Sequence, residues 1–141
     1  MANYYGVARS NYFHVGDPKA FTEWCDELGL TWEYESDAQE SPDMRVAIFS
    51  NEEDGWPSYL YKEGNDGEIE EREIDLPHEL AEFLAPETVA VLMEVGNEKL
   101  RYLTGYAVAV HPSGEILQVR LGDIYDYAHE KWGITPTECC Y

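Results

Sequence analysis

VAVLMEVGNEKLRYLTGYAVAVHPSGEILQVRL, residues 89–121, decides the fold class. Val89, Val91, Met93 and Val95 recur at every second position, which is the period of a strand and not of a helix. Leu100–Val110 is a second β-rich run. His111-Pro112-Ser113-Gly114 is a turn signal, and it leads into a third run, Glu115–Leu121. Strands joined by links this short pair antiparallel, because a parallel pair needs a crossover of about a dozen residues. The segment predicts a three-stranded meander.

Working upstream, Leu76-Pro77 opens a helix with Leu80, Phe83 and Leu84 facing inward, and Ala85-Pro86 stops it. Before it, Ser58–Glu63 and Glu68–Asp75 flank Gly64-Asn65-Asp66-Gly67, the composition of a tight turn. A β-hairpin is predicted there. Met44–Phe49 alternates Met44, Val46 and Ile48 on one face, and Thr31–Glu35 places Trp32 and Tyr34 together. Asp37–Asp43 and Asn51–Pro57 are polar links. Asp17-Pro18 has a capping carboxylate and a proline at the first helical position. Phe21, Trp24, Cys25 and Leu28 then form one apolar stripe, which Gly29 terminates. Asn3–Val15 is aromatic and β-rich. Downstream, Asp123–Trp132 is read as a helix that buries Ile124, Tyr125, Ala128 and Trp132, with Ile134–Tyr141 as a tail. The order β-α-β-β-β-β-α-β-β-β-α, with hairpins outnumbering crossovers, predicts an α+β fold: a mostly antiparallel sheet with about three helices.

The chain has 141 residues, which suits one domain, residues 1–141. Size scaling predicts a folded surface of roughly 7,000–8,000 Å². A hydrophobic content of 44% argues against general disorder. MANYYGVARSN lacks the apolar core of a secretory signal, and the apolar runs are too short to span a bilayer. A cytoplasmic protein is expected. Cys25, Cys139 and Cys140 do not make a disulfide framework, and without a CxxC pair no structural zinc site is expected.

Charge is the outlying property. There are 29 carboxylates against 9 Lys and Arg, giving −20. Direct partners made of nucleic acid or anionic membrane are disfavoured, because phosphates repel such a surface. A basic protein is favoured. Spread evenly over the predicted surface, the charge is about one per 370 Å². A DNA duplex carries about one per 110 Å². Only clustering closes that gap. Residues 63–75 hold Glu63, Asp66, Glu68, Glu70, Glu71, Glu73 and Asp75, opposed only by Arg72. Glu52, Glu53 and Asp54 form a second cluster just before the same hairpin. Alternate residues of a strand lie about 6.6 Å apart on one face. Glu71, Glu73 and Asp75 would make one such row, and Glu68 and Glu70 another. Tyr59 and Tyr61 sit on the facing strand, and tyrosine is favoured at binding hot spots.

No constellation carries a reaction. A calcium loop with Gly67 at its sixth position places Lys62 first, and one with Gly55 places Tyr61 last; neither is a suitable ligand. His14, His78, His111 and His129 have no metal-ligand spacing, and no phosphate loop or GxSxG is present. Cys25 belongs to an apolar stripe, and no base can be assigned to Cys139 or Cys140. A protein without enzymatic activity, cofactor or metal is expected.

ANYYGVARSNYF, DGWPSYLY and EVGNEKLRYLTGYAVAV running into LGDIYDYA together resemble a group of small acidic proteins encoded on bacterial plasmids, phages and integrative elements. The resemblance implies a mobile-element setting, in which small acidic proteins often block host nucleases. It assigns no functional residue. The resulting expectation is an inhibitor of a basic, nucleic-acid-binding defence protein, such as a restriction or CRISPR nuclease, acting as a DNA mimic. Two alternatives stand beside it. One is an accessory or antitoxin-like protein that binds its partner through a tyrosine-rich sheet. The other is a hydrolase with an unrecognised carboxylate or metal site.

Overall fold

The computed structural model describes residues 4–35, 44–50, 55–99 and 102–139. The expected link over residues 37–43 lies outside them, as do Glu52, Glu53, Asp54 and Cys140. The chain is α+β, in the predicted order: β1 (Tyr4–Ser10), α1 (Pro18–Leu28), β2 (Leu30–Tyr34), β3 (Val46–Ser50), β4 (Tyr59–Glu63), β5 (Ile69–Glu73), α2 (Leu76–Ala81), β6 (Ala90–Glu98), β7 (Tyr102–Val110), β8 (Ile116–Arg120) and α3 (Asp123–Trp132). Six strands form one sheet in the order β2-β3-β1-β6-β7-β8, and every pairing in it is antiparallel. The hairpin β4–β5 is a separate two-stranded sheet. Because β3 lies between β1 and β2, the β1–α1–β2 unit is split by a strand that arrives later in the sequence.

Helix α1 begins where the sequence places it. The Asp17 carboxylate accepts from the Ala20 amide at 3.1 Å, Pro18 follows, and Gly29 closes the helix with φ 73°. Its buried residues are Phe21, Trp24, Cys25 and Leu28. Phe21 meets Phe13 edge-on at 5.8 Å, and the Trp24 ring lies 5.0 Å from Phe83. Together with Leu80 and Leu84 they cover one face of the sheet, packing on Ala8, Val46, Ile48, Leu92, Val108 and Val110. Burial, and secondarily the Asp26 carboxylate, pushes the Cys25 thiol up to about 12.

On that inner face Glu94 is the only acid of β6 placed among core residues. Its carboxylate accepts from the Trp56 amide at 2.7 Å, from Tyr4 Oη at 3.0 Å and from Tyr106 Oη at 3.4 Å. Burial first, then the Glu94 charge, pushes the Tyr106 phenol up to about 12. Tyr4 reaches Glu94 by lying across Gly6 and Gly96, which are opposite each other in the ladder. A Cβ on Gly96 would stand 2.4 Å from that ring, so only glycine permits the approach.

Among the described residues, no helix covers the other face of the sheet along β1, β6, β7 and β8. Val91, Met93 and Val95, the row whose alternation predicted the strand, point to this side, while Ala90, Leu92 and Glu94 face the core. Helix α3 departs from expectation as well. Of the four residues expected to be buried, only Ala128 is; Ile124 and Trp132 are exposed and Tyr125 is half-buried. The apolar stripe is present, but α3 packs extensively on no other element. The accessible surface is 10021 Å², well above the expected range.

Two predictions test these contacts. Glu94→Ala leaves three donors without their acceptor, and it should lower the unfolding free energy by about 2–4 kcal/mol in urea titrations. The second concerns pH. Cys25 ionises at a higher pH in the folded protein than in the unfolded chain, so its contribution to stability is complete below about pH 9 and is lost as pH rises toward 12. Between pH 9 and 11 the urea midpoint should fall more steeply for the wild type than for Cys25→Ala.

Candidate partner-binding surface

Hairpin β4–β5 has its turn at Gly64–Gly67. The Gly64 amide donates to the Glu68 carbonyl at 2.6 Å, and Gly67 takes φ 80°, a conformation that favours glycine. The base of the hairpin is closed by the Ile74 amide donating to the Ser58 carbonyl, and it is rooted in the core by Trp56 and Ile74. The ladder pairs Tyr59 with Glu73, Leu60 with Arg72, Tyr61 with Glu71, Lys62 with Glu70 and Glu63 with Ile69. Directly paired residues share a face. One face therefore carries Leu60, Lys62, Glu70 and Arg72. The other carries Tyr59, Tyr61, Glu63, Ile69, Glu71 and Glu73.

The first face is turned toward the body. Leu60 packs against the core cluster. Lys62 Nζ donates to Glu27 of α1 at 2.6 Å, and the Arg72 guanidinium pairs with Glu79 of α2. The hydrogen bond from Lys62 holds the Glu27 carboxyl below its ordinary range. Glu79 also accepts from the Trp24 indole and from the Asp75 amide, so Arg72 joins a network that ties both helices to the hairpin. Exposed pairs of this kind stabilise by only about 0–1 kcal/mol each. Their larger effect is directional, because both cations of the hairpin are held on its inner side.

The second face meets solvent, and every one of its six residues is exposed. Its three carboxylates have no cation on the same face. The rows differ from those drawn on the sequence. Glu71 and Glu73 do form one, but Asp75 lies past the strand and caps α2, accepting from the His78 amide at 3.4 Å and pairing with His78 Nδ1 at 2.7 Å. Glu70 is on the inner side beside Lys62. Glu68 belongs to the turn, where Asp66 accepts from its amide at 3.4 Å. Glu52, Glu53 and Asp54 lie outside the described residues.

Tyr4, Tyr5, Tyr34, Tyr102 and Tyr106 belong to strands of the six-stranded sheet. Tyr4 and Tyr106 are committed to Glu94, Tyr5 is on the bare face, and Tyr59 and Tyr61 are on the hairpin. A groove of about 740 Å³ runs between α2 and strands β7 and β8, lined by Pro77, His78, Tyr106, Gln118 and Arg120 among others. Among the described residues the His78 imidazole is hydrogen-bonded to the Asp75 carboxylate and to no hydroxyl or thiol. Nor do three His, Cys, Asp or Glu side chains converge among them to hold a metal ion. No described helix is long and apolar enough to cross a membrane. Sequence reasoning did not anticipate Glu27, Glu79 and Glu94, the three acids that position the hairpin. For Glu94 a signal was present, a single carboxylate inside the apolar run Val89–Val95. Comparison with protein-family models, curated proteins and solved structures found no match.

If Lys62 and Arg72 orient the hairpin, a Lys62→Met/Arg72→Met variant should keep global stability within about 2 kcal/mol of wild type. Amide exchange across residues 59–73 should rise at least several-fold in the same protein, with exchange elsewhere unchanged.

Proposed function

We propose that the chain is a non-enzymatic binding protein that docks on a basic partner through the solvent face of the β4–β5 hairpin. Tyr59 and Tyr61 would supply contact area, and Glu63, Glu71 and Glu73 the charge. The observation that carries this reading is the sorting of charge across the hairpin. Both cations are paired with carboxylates of the body, and the outward face keeps only acids and apolar or aromatic groups. A hairpin serving only to stay soluble has no need of that sorting.

Across the ladder, carboxylates at Glu71 and Glu73 lie about 6.6 Å apart along the strand. That repeat is compatible with a groove whose Lys and Arg side chains ordinarily meet phosphates. The partner class that follows is a nucleic-acid-binding protein. The resemblance to small acidic proteins of mobile elements narrows it to a host-defence nuclease of the restriction or CRISPR type. Glu68 and Glu70 flank the face, and they add to the field more than to the contact. Tyrosine beside carboxylate also suits the interface chemistry, because its ring brings large contact area at low conformational cost.

The test is affinity capture from bacterial lysate at low salt, with wild type beside a Glu63→Gln/Glu71→Gln/Glu73→Gln variant. The wild type should retain a DNA-binding protein that duplex DNA releases and that 0.5 M salt releases as well. The variant should retain at least about tenfold less. Equal retention by both forms, or retention indifferent to duplex DNA, would sink the reading.

A further inference from the structure

Among the described residues, helices cover the six-stranded sheet on one side only, and the other side is open along β1, β6, β7 and β8. On the bare side Val7 of β1, Val95 of β6, Leu103 of β7 and Leu117 of β8 are 70%, 57%, 58% and 76% exposed, and Met93 and Val119 lie among them. They belong to four consecutive strands, so the apolar area is continuous. Isolated exposed apolar residues are ordinary, but a patch across four strands is not. Its charge is equally unusual in a chain of −20. By the alternation of each strand, the outward positions of the described residues include Arg9 and a single acid, Glu33, which sits on the edge strand β2. Carboxylates crowd the remainder of the protein and are sparse here.

Helix α3 presents the complementary anomaly. Ile124, Tyr127 and Trp132 fall on one arc of it, and with Ile134 they are 55–67% exposed. The segment after the helix folds back on it: the Cys139 amide donates to Tyr125 Oη at 2.7 Å, and Thr135 Oγ1 meets His129 Nδ1 at 3.0 Å. The arm is thus a built object with an apolar side, and among the described residues it has no extensive seat on its own body. Helices on a sheet normally bury such a side against an apolar sheet face. The chain offers one helix without a sheet and one sheet face without a helix.

An apolar sheet face and an apolar helix arm left uncovered on the same chain point to a second copy. Scaling gives a folded monomer of 16.2 kDa a surface of roughly 7,500 Å². The observed 10021 Å² exceeds this by about 2,500 Å². Obligate dimers bury about 2,000–5,000 Å² in total, or up to about 2,500 Å² from each protomer. An extended surface of this kind is what a protomer that buries a face in a dimer presents on its own. A basic partner is a poor occupant, since the face offers it almost no carboxylate.

We propose that the chain forms a two-fold symmetric dimer in which α3 and the segment after it, from each protomer, lie on the bare sheet face of the other. The interface is isologous, as two-fold symmetry requires. The hairpins, which are pinned to α1 and α2 on the covered side of each sheet, point away from the seam. Two chains of −20 repel at a distance, so added salt should strengthen the dimer. The reading of the hairpin as a docking element is not needed for this inference, and its failure would leave the dimer untouched.

Sedimentation velocity of the full chain in 50 and 500 mM NaCl tests it. The expected result is a species of twice the 16.2 kDa chain mass that gains population with salt. Val95→Glu/Val119→Glu, on the sheet, and Tyr127→Glu/Trp132→Glu, on the helix, change exposed positions only. Each should weaken dimerisation by about 100-fold or more, because a carboxylate would be buried without a partner, and circular dichroism should be unchanged. Mixing the two variants is the sharper arm. One protomer then has an intact helix and the other an intact sheet face, so one of the two seats is restored. A mixed dimer should form at least tenfold more tightly than either variant alone. A monomeric wild type at both salts overturns the proposal, including the case in which the face binds a different protein. Dimerisation that survives the helix variant, or a mixture no tighter than its components, overturns the exchange of helices.

Discussion

The half-buried carboxylate of Glu94 is the point on which the inner architecture turns. It gathers the Tyr4 and Tyr106 phenols and the Trp56 amide. These donors come from β1, from β7 and from the segment that leads into the hairpin. A charge drawn out of water is tolerated only where hydrogen bonds replace its hydration, and here the replacements come from three separate parts of the chain. Gly6 and Gly96 clear the path for Tyr4, and Gly55, with φ 95°, lets the backbone pass against the carboxylate itself. Trp56 is thereby fixed in the core, and the hairpin rises from the body at that root. Placement of the acidic surface thus depends on an acid that is no part of it.

Charge and apolar surface are kept on opposite sides of the molecule. On the covered side, helices α1 and α2 hold the hairpin through Glu27 and Glu79, and the hairpin sends its unpaired carboxylates outward. On the bare side, strands β1, β6, β7 and β8 present aliphatic residues with hardly any charge. Net charge averaged over the whole surface describes neither side. One side has the chemistry of electrostatic docking, which is sensitive to salt and fast to form. The other has the chemistry of a protein interior cut open.

Much of this was legible in the sequence, and the remainder was hidden for identifiable reasons. Caps and turns are local, so Asp17-Pro18, Gly29 and Gly64–Gly67 could be read directly. Period-2 alternation marked the strand at Val89–Val95. It could not say which row would be covered, because either parity has the same period, and the row richer in large aliphatic residues proved to be the open one. Helices α1 and α3 carry the same kind of apolar stripe. Periodicity reports that a stripe exists; the chain that covers it is a separate matter. In the acidic run, a strand that ends at Glu73 removes Asp75 from the row and makes it a helix cap. The pairings of Lys62 with Glu27 and Arg72 with Glu79 join elements with no local signature of contact, so the direction in which the hairpin faces could not be read.

Strand β1 pairs with β3 on one side and β6 on the other, and so it occupies the interior of the sheet. Tyr4 lies opposite Glu98, more than ninety residues later in the chain. At ordinary rates of synthesis, roughly 5–20 residues per second, β1 exists for on the order of ten seconds before β6 has been made. Until then it can hold only the β3 side of its ladder. The strand that organises the finished sheet is among the last to be completed, and long-range pairing of this kind slows folding. Like charge dispersed along the chain opposes the association of unfinished copies while their strands wait.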